Sequence, residues 1–220
     1  MTDDEELYQT LTNKFGNEEV FLIQIGANDG VMADPVNSFI KNSSNVSALL
    51  IEPQKETFKD LQKNYSEFLD RVSFLNVAIT ETDSQVKLYK NIDPLGSSGH
   101  STLLLRQNEH ATHFDENSYE LVDGICVSTL LEKVDKPINI LVTDTEGYDI
   151  EIIKQFISNK TLPDIIFFEK PYPLPGNDRL NIVETGNQVL ETIICSLNDL
   201  DYDVKILSGN VLCVKKYDFT

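Results

Sequence analysis

The residues of this chain with the clearest capacity for chemistry stand in two stretches, FLIQIGANDG (21–30) and PINILVTDTEGYD (137–149). In the first, Phe21, Leu22, Ile23 and Ile25 run into Gly26, Asn28, Asp29 and Gly30. That is the pattern of a buried strand ending in a tight turn with exposed backbone. Glycine there can adopt positive φ and lets the main chain come close to a ligand lying beyond the carboxyl ends of the strands. A second apolar strand, SALLIEP (47–53), ends in Glu52, where a carboxylate can accept hydrogen bonds from ribose hydroxyls. The spacing departs from the dinucleotide fingerprint G-x-G-x-x-G, because Asn28 and Val31 occupy its second and third glycine positions. A nucleoside that needs no phosphate cradle suits this turn better than NAD does.

In the second stretch Ile138, Ile140, Leu141 and Val142 lead to Asp144, Glu146 and Gly147. Two carboxylates are therefore expected at the same sheet edge as the glycine turn, on one side if the chain stays extended. Glu169 closes PDIIFFEK (163–170) in a similar way. Such groups can act as general bases toward a hydroxyl nucleophile. His100 is a further candidate base. It falls in DPLGSSGHSTL (93–103), the most turn-rich part of the chain, where Ser97 and Ser98 are candidates for substrate or cofactor contacts. His110 and His113, flanked by Glu109 and Asp115, lack the H-E-x-x-H pattern, and spacing fixes no third ligand, so no metal site is expected. A metal-assisted transferase or hydrolase using Asp144, Glu146 and Glu169 is kept as an alternative.

Four stretches, GANDG (26–30), IEP (51–53), NVAI (76–79) and LVTDTEGYDIEII (141–153), together resemble the FkbM-type family of S-adenosyl-L-methionine-dependent methyltransferases, from residue 20 to about residue 170. The resemblance implies S-adenosyl-L-methionine as cofactor. It assigns cofactor contacts to Gly26, Ala27, Asn28, Asp29 and Gly30, to Glu52 and Pro53, to Asn76, Val77 and Ala78, and to Asp144. Gln24, which stands where many relatives carry an acidic residue, and Asp34 join that set. Asp144, Glu146 and His100 are the expected catalytic groups, and the expected reaction is O-methylation of a hydroxyl on a small molecule or glycan. A non-catalytic protein that binds S-adenosyl-L-methionine or serves in interactions is the other alternative.

The elements that must position these residues follow from periodicity. Thr2 and Glu5 form a capping-box pattern before Leu7, Tyr8 and Leu11, predicting a leading helix within residues 1–16. Asp34-Pro35 reads as an N-cap ahead of a short helix with Val36, Phe39 and Ile40 inward. Residues 55–65 read as a helix, VSFLNVAIT (72–80) as a third strand and VKLYKN (86–91) as an added one. RQNEHATHFDENSYE (106–120) reads as a solvated polar connector, and 92–120 as a lid-like insertion. ICVSTLLEKVD (125–135) suggests a short strand and a helix boxed by Thr129 and Glu132. After a helix over 182–199, YDVKILS (202–208) and NVLCVKK (210–216) flank Gly209 as a hairpin. The alternation predicts an α/β fold: a Rossmann-like class I methyltransferase arrangement with a mainly parallel seven-stranded sheet and a C-terminal antiparallel hairpin.

Composition bounds the rest. At 220 residues the chain fits a single domain, 1–220. A formal charge of −18 with no basic cluster disfavours nucleic acid and anionic membranes as partners. Cys126, Cys195 and Cys213 lie far apart in apolar stretches and show neither metal nor disulfide spacing. The acidic start MTDDEELYQT has no basic-then-apolar signal, and no apolar run approaches membrane-spanning length, so a cytoplasmic location is expected. Oligomeric state has no readable signature.

Overall fold

The computed structural model describes residues 1–91, 101–103, 114–171 and 179–216. Seven strands make the main sheet: β1 (Val20–Ile25), β2 (Val46–Ile51), β3 (Val72–Leu75), β8 (Ile140–Thr143), β9 (Ile165–Glu169), β10 (Tyr202–Ile206) and β11 (Asn210–Lys215). Their spatial order is β10-β11-β9-β8-β1-β2-β3, and β11 alone runs antiparallel to its neighbours. The central strands are apolar almost throughout because both faces are covered, which is what a parallel sheet demands. Alternation divides their side chains between two cores. Leu22, Leu50, Val142 and Phe167 meet α1 (Asp3–Phe15), α2 (Asn37–Asn42) and α3 (Lys55–Asn64) on one face. Ile23, Ile51, Leu141 and Phe168 meet α4 (Val127–Leu131), α5 (Asp149–Ser158) and α6 (Arg179–Asp199) on the other. Among the described residues no helix is long and apolar enough to cross a membrane.

A second sheet, of order β4-β7-β5-β6, is inserted between β3 and β8. It consists of β4 (Ala78–Ile79), β5 (Ser84–Asn91), β6 (Ser101–Thr102) and β7 (Phe114–Ile125). Two sequence expectations are corrected here. Residues 72–80 are not one strand: the chain breaks at Asn76-Val77 and Ala78–Ile79 leaves to pair with β7. The break is fixed by Asn76, whose amide donates to the Glu52 carbonyl at 2.7 Å and the Pro53 carbonyl at 3.0 Å. The polar stretch read as a connector also ends in a twelve-residue strand, β7, paired antiparallel along β5. Its low hydrophobicity reflects one solvated face. Tyr119 and Leu121 are exposed there, while Val122 and Leu88 pack beneath. Of the insertion 92–120, residues 92–100 and 104–113 lie outside the described residues, and so does the candidate base His100.

The helix starts show how local sequence is used. Thr2 and Glu5 form the expected reciprocal box on α1. The box expected from Thr129 and Glu132 is absent, because Thr129 sits inside α4 and donates to Asp83 Oδ2 at 2.7 Å, while Asp83 Oδ1 accepts from the Cys126 amide. An aspartate 43 residues upstream thus satisfies the orphan N–H that a local cap would have taken. Asp3, in the first turn of α1, reaches across the fold. It accepts from the backbone of Ser208, Gly209 and Asn210 at 3.1, 2.8 and 3.0 Å and from the Asn210 side chain at 3.1 Å. Lys205 of β10 pairs with Glu6 at 2.5 Å. Asp3→Ala strips these acceptors from the hairpin turn and is expected to lower the unfolding free energy by about 1–3 kcal/mol. Urea denaturation followed by circular dichroism reads this as a lower midpoint with unchanged slope, and an unchanged midpoint would refute the clamp.

Candidate active site

The carboxyl ends of β1, β2 and β8 meet over a cavity of about 150 Å³. At its floor Gly26 has φ +82°, and a β-carbon there would overlap the Asp144 carbonyl oxygen. Only glycine lets the two strand ends approach this closely. The turn is then tied to β2, with the Gly26 and Ala27 amides donating to the Ile51 carbonyl at 2.9 and 3.0 Å. Asn28, also at positive φ, points its amide at Glu52 Oε2 at 3.0 Å. Gln54 N–H donates to the other oxygen, Oε1, at 2.8 Å. Two backbone donors therefore fix the Glu52 carboxylate, and each oxygen keeps a lone pair for a hydroxyl.

The two oxygens of Asp34 are used unequally. Oδ1 accepts from Val36 N at 2.8 Å, Asn37 N at 3.0 Å and Gln24 Nε2 at 3.3 Å, so it caps α2 from two residues before Val36. Oδ2 is buried and has no partner among the described residues, and the same is true of Gln24 Oε1. Both residues line the cavity. Burial pushes the Asp34 carboxyl up to about 6 against the donors of Val36, Gln24 and Asn37, with Asp29 adding to the rise. Burial likewise pushes Glu52 up to about 7, opposed by the Gln54 and Asn28 amides and reinforced by Glu120.

On the other side Asp144, Thr145 and Glu146 line the cavity in the turn after β8. Glu146 has φ 54° and Gly147 φ 105°, a bend that turns the chain into α5. Asp149 holds it. Its buried Oδ2 accepts from the Thr145 hydroxyl at 2.9 Å and from the Thr145 and Gly147 amides at 3.4 Å, and burial raises its pKa. The second sheet supplies the remaining wall through Ala78, Ile79, Leu88, Ser101 and Leu103. Ser101 Oγ donates to Gln54 Oε1 at 3.3 Å and Thr102 Oγ1 to the Glu146 carbonyl at 3.1 Å, so β6 bridges the two acidic loops.

Of the residues singled out in the sequence, Gln24, Gly26, Ala27, Asn28, Asp34, Glu52, Pro53, Val77, Ala78, Asp144 and Glu146 come together around this cavity. Asp29, Gly30 and Asn76 stand outside its lining. Asp29 folds the turn by accepting from the amides of Val31 and Met32, and Gly30 packs against Tyr65 and Leu61. Glu169 is not part of the lining, and among the described residues no group of three or more His, Cys, Asp or Glu side chains gathers as metal ligands would. Sequence reasoning missed Asp149 and β6. The first had a signal, an acid five residues after Asp144 at the start of an apolar helical pattern. The second, a two-residue strand, had none.

A seven-stranded sheet in this order, with one antiparallel strand and a glycine turn after β1, is the class I methyltransferase fold. Within that class, residues 24–203 match the family model described as "Methyltransferase FkbM domain", and the chain belongs to that S-adenosyl-L-methionine-dependent family. Solved structures share the fold at low identity. The O-methyltransferase from Bacillus cereus in complex with SAH superposes with a TM-score of 0.54 at 10% identity, over 98% of this chain and 82% of that one. The SAH-bound methyltransferase PaMTH1 of Podospora anserina gives 0.50 at 10% identity, over 97% and 78%. No curated protein matches the chain.

The buried acids have a thermodynamic consequence. The Glu52 carboxyl holds its proton to about 7 in the fold against an ordinary 4.5. Between those values the folded state binds more protons than the unfolded chain, so stability falls as pH rises through the window. The loss from Glu52 is on the order of 3 kcal/mol and is complete above the folded value. Unfolding of wild type and Glu52→Gln measured at pH 4, 6 and 8 should show a shallower decline for the variant, in which Asp34 and Asp149 still contribute. Equal slopes would contradict the burial argument.

Proposed function

We propose that this chain methylates a hydroxyl on a small molecule or glycan, using S-adenosyl-L-methionine held in the cavity between Gly26, Glu52 and Asp144. The observation that carries the reading is the pair of buried acceptors, Gln24 Oε1 and Asp34 Oδ2, that have no partner among the described residues, in a cavity whose described lining residues include no cation. Buried acceptors without donors are costly, and a ligand carrying an ammonium group removes that cost. The cofactor fits on three counts. Its methionine ammonium suits those two oxygens, its ribose hydroxyls suit the oriented Glu52 carboxylate, and its close passage over the main chain suits Gly26. The carboxylate lost where Gln24 replaces the acid common in relatives is thereby supplied by Asp34, ten residues on.

When bound, the cofactor supplies an electrophilic methyl on a positively charged sulfur, whose transfer to an acceptor hydroxyl leaves a neutral thioether and releases one proton. The chain's own task is alignment and exclusion of water. Asp144 stands at the strand end nearest the glycine turn, and its carboxylate receives the acceptor's proton, with Glu146 as the neighbouring base. Asp149 and Thr102 keep that loop in its bend. The acidic lining favours the sulfonium over its neutral product, which helps the product to leave. The two sheets act together as one domain.

Isothermal titration is expected to show S-adenosylhomocysteine binding at micromolar level. Asp34→Asn should weaken it about tenfold, equivalent to about 1.4 kcal/mol, and Glu52→Ala should abolish it. A folded wild type that binds neither cofactor nor product would end this reading. Full turnover retained by Asp144→Asn would remove Asp144 from the reacting centre and pass the role to Glu146.

A further inference from the structure

Beside the cofactor cavity lies a second hollow, of about 360 Å³, between the inserted sheet and the start of α5. Lys87 and Tyr89 of β5, the Thr80–Thr82 turn, Leu103 and Tyr148 line it. Leu103 lines the cofactor cavity as well. Along the chain the two linings are also adjacent, with Thr80 of the hollow following Ile79 of the cavity and Tyr148 lying two residues beyond Glu146. That junction is pinned by the Thr102 bond to the Glu146 carbonyl. Leu103, which packs on the Ala78, Leu88 and Val122 cluster, is common to both linings, so a molecule seated in the hollow reaches the Glu146 side of the cavity by displacing Leu103.

The chemistry of the lining selects the occupant. Two phenol rings offer flat apolar faces, and Thr80, Thr82 and Ser84 offer hydroxyls. Glu81 and Lys87 bring one charge of each sign, so the hollow has no net preference for a charged guest. The chain's charge of −18 adds a penalty for polyanions. Tyr89 is held in place: its ring packs edge-on against Tyr119 with centroids 6.1 Å apart, and Lys87 Nζ sits 4.1 Å above the Tyr119 ring. A preorganised aromatic wall lowers the cost of binding. Carboxylate, ammonium and hydroxyls around it match the donors and acceptors along a sugar ring's edge, and the rings match its C–H face.

We infer that this hollow is the acceptor subsite and that it takes a neutral sugar ring, one of whose hydroxyls passes Leu103 to the cofactor cavity. The inference rests on the methyltransferase reading above and narrows its acceptor to a glycan. Saturation-transfer NMR tests it with methyl glycosides of glucose, galactose, mannose and rhamnose, and with glucuronate as the charged control, in the presence of S-adenosylhomocysteine. Wild type should transfer saturation to the ring protons of at least one neutral glycoside in preference to glucuronate. Tyr89→Ala should weaken that glycoside about fivefold, roughly 1 kcal/mol, while Tyr89→Phe keeps it. Both variants should bind S-adenosylhomocysteine as wild type does. Lys87→Met, which keeps the aliphatic stem, should show the same loss and replaces Tyr89→Ala if that variant fails to fold. No transfer to any neutral glycoside, preference for glucuronate, or unchanged transfer in a folded Tyr89→Ala or Lys87→Met overturns the inference. If wild type binds S-adenosylhomocysteine in that experiment, the methyltransferase reading survives the failure.

Discussion

The site depends on how closely β1 and β8 can approach at their carboxyl ends. The two strands run parallel in register from Leu22 opposite Ile140 to Ile25 opposite Thr143, and Asp144 N–H then donates to the Ile25 carbonyl. One residue further, Gly26 leaves empty the volume that the Asp144 carbonyl occupies. Any side chain at 26 would push the two turns apart, and with them Asn28, Glu52, Asp144 and Glu146. A single missing β-carbon thus fixes the floor of the cavity and the distance between the acids on either side of it.

Around that floor the chain buries carboxylates that weaken the fold. Glu52, Asp34 and Asp149 all have raised pKa values because burial penalises the charged form. Each is restrained by backbone amides, which orient the group without neutralising it. Their uses differ. Asp149 spends its Oδ2 on the bend after β8 and Asp34 its Oδ1 on capping α2, and in each the second oxygen is buried without a hydrogen-bond partner among the described residues. Stability given up in this way is a common feature of sites built to receive a ligand of opposite charge.

The legible parts of the fold were those where local sequence and tertiary packing agree. Apolar runs on the buried strands, the Thr2–Glu5 box and the hairpin about Gly209 could be read because each is determined within a few residues. The sheet-edge gathering of Gly26, Glu52, Asp144 and Glu146 was legible because glycine and acid follow the apolar runs directly. What escaped depends on distant partners. Asp83 caps α4 from across the chain, Asn76 splits a continuous apolar run by binding Glu52 and Pro53, and β7 becomes a strand because β5 offers it a ladder. Asp34 was ambiguous between cap and ligand group, and its two oxygens show why: one caps α2, while the other is buried without a partner among the described residues in a residue that lines the cavity.

The inserted sheet has a different physical character from the sheet it leans on. Its own core is small, Ala78, Leu88 and Val122 with Val86 and Leu103 against it, so hydrophobic burial holds it only modestly. Its position is set mainly by polar ties: Ser101 to Gln54, Thr102 to Glu146 and the Lys55 amide to Glu120. Two of these ties end on the loops that carry Glu52 and Glu146. A wall fastened to both loops cannot shift without moving the groups on either side of the cavity. Lys87 and Tyr89 on β5 and the cavity-lining acids on the main sheet are therefore mechanically coupled through β6, although they belong to separate hydrogen-bonded sheets.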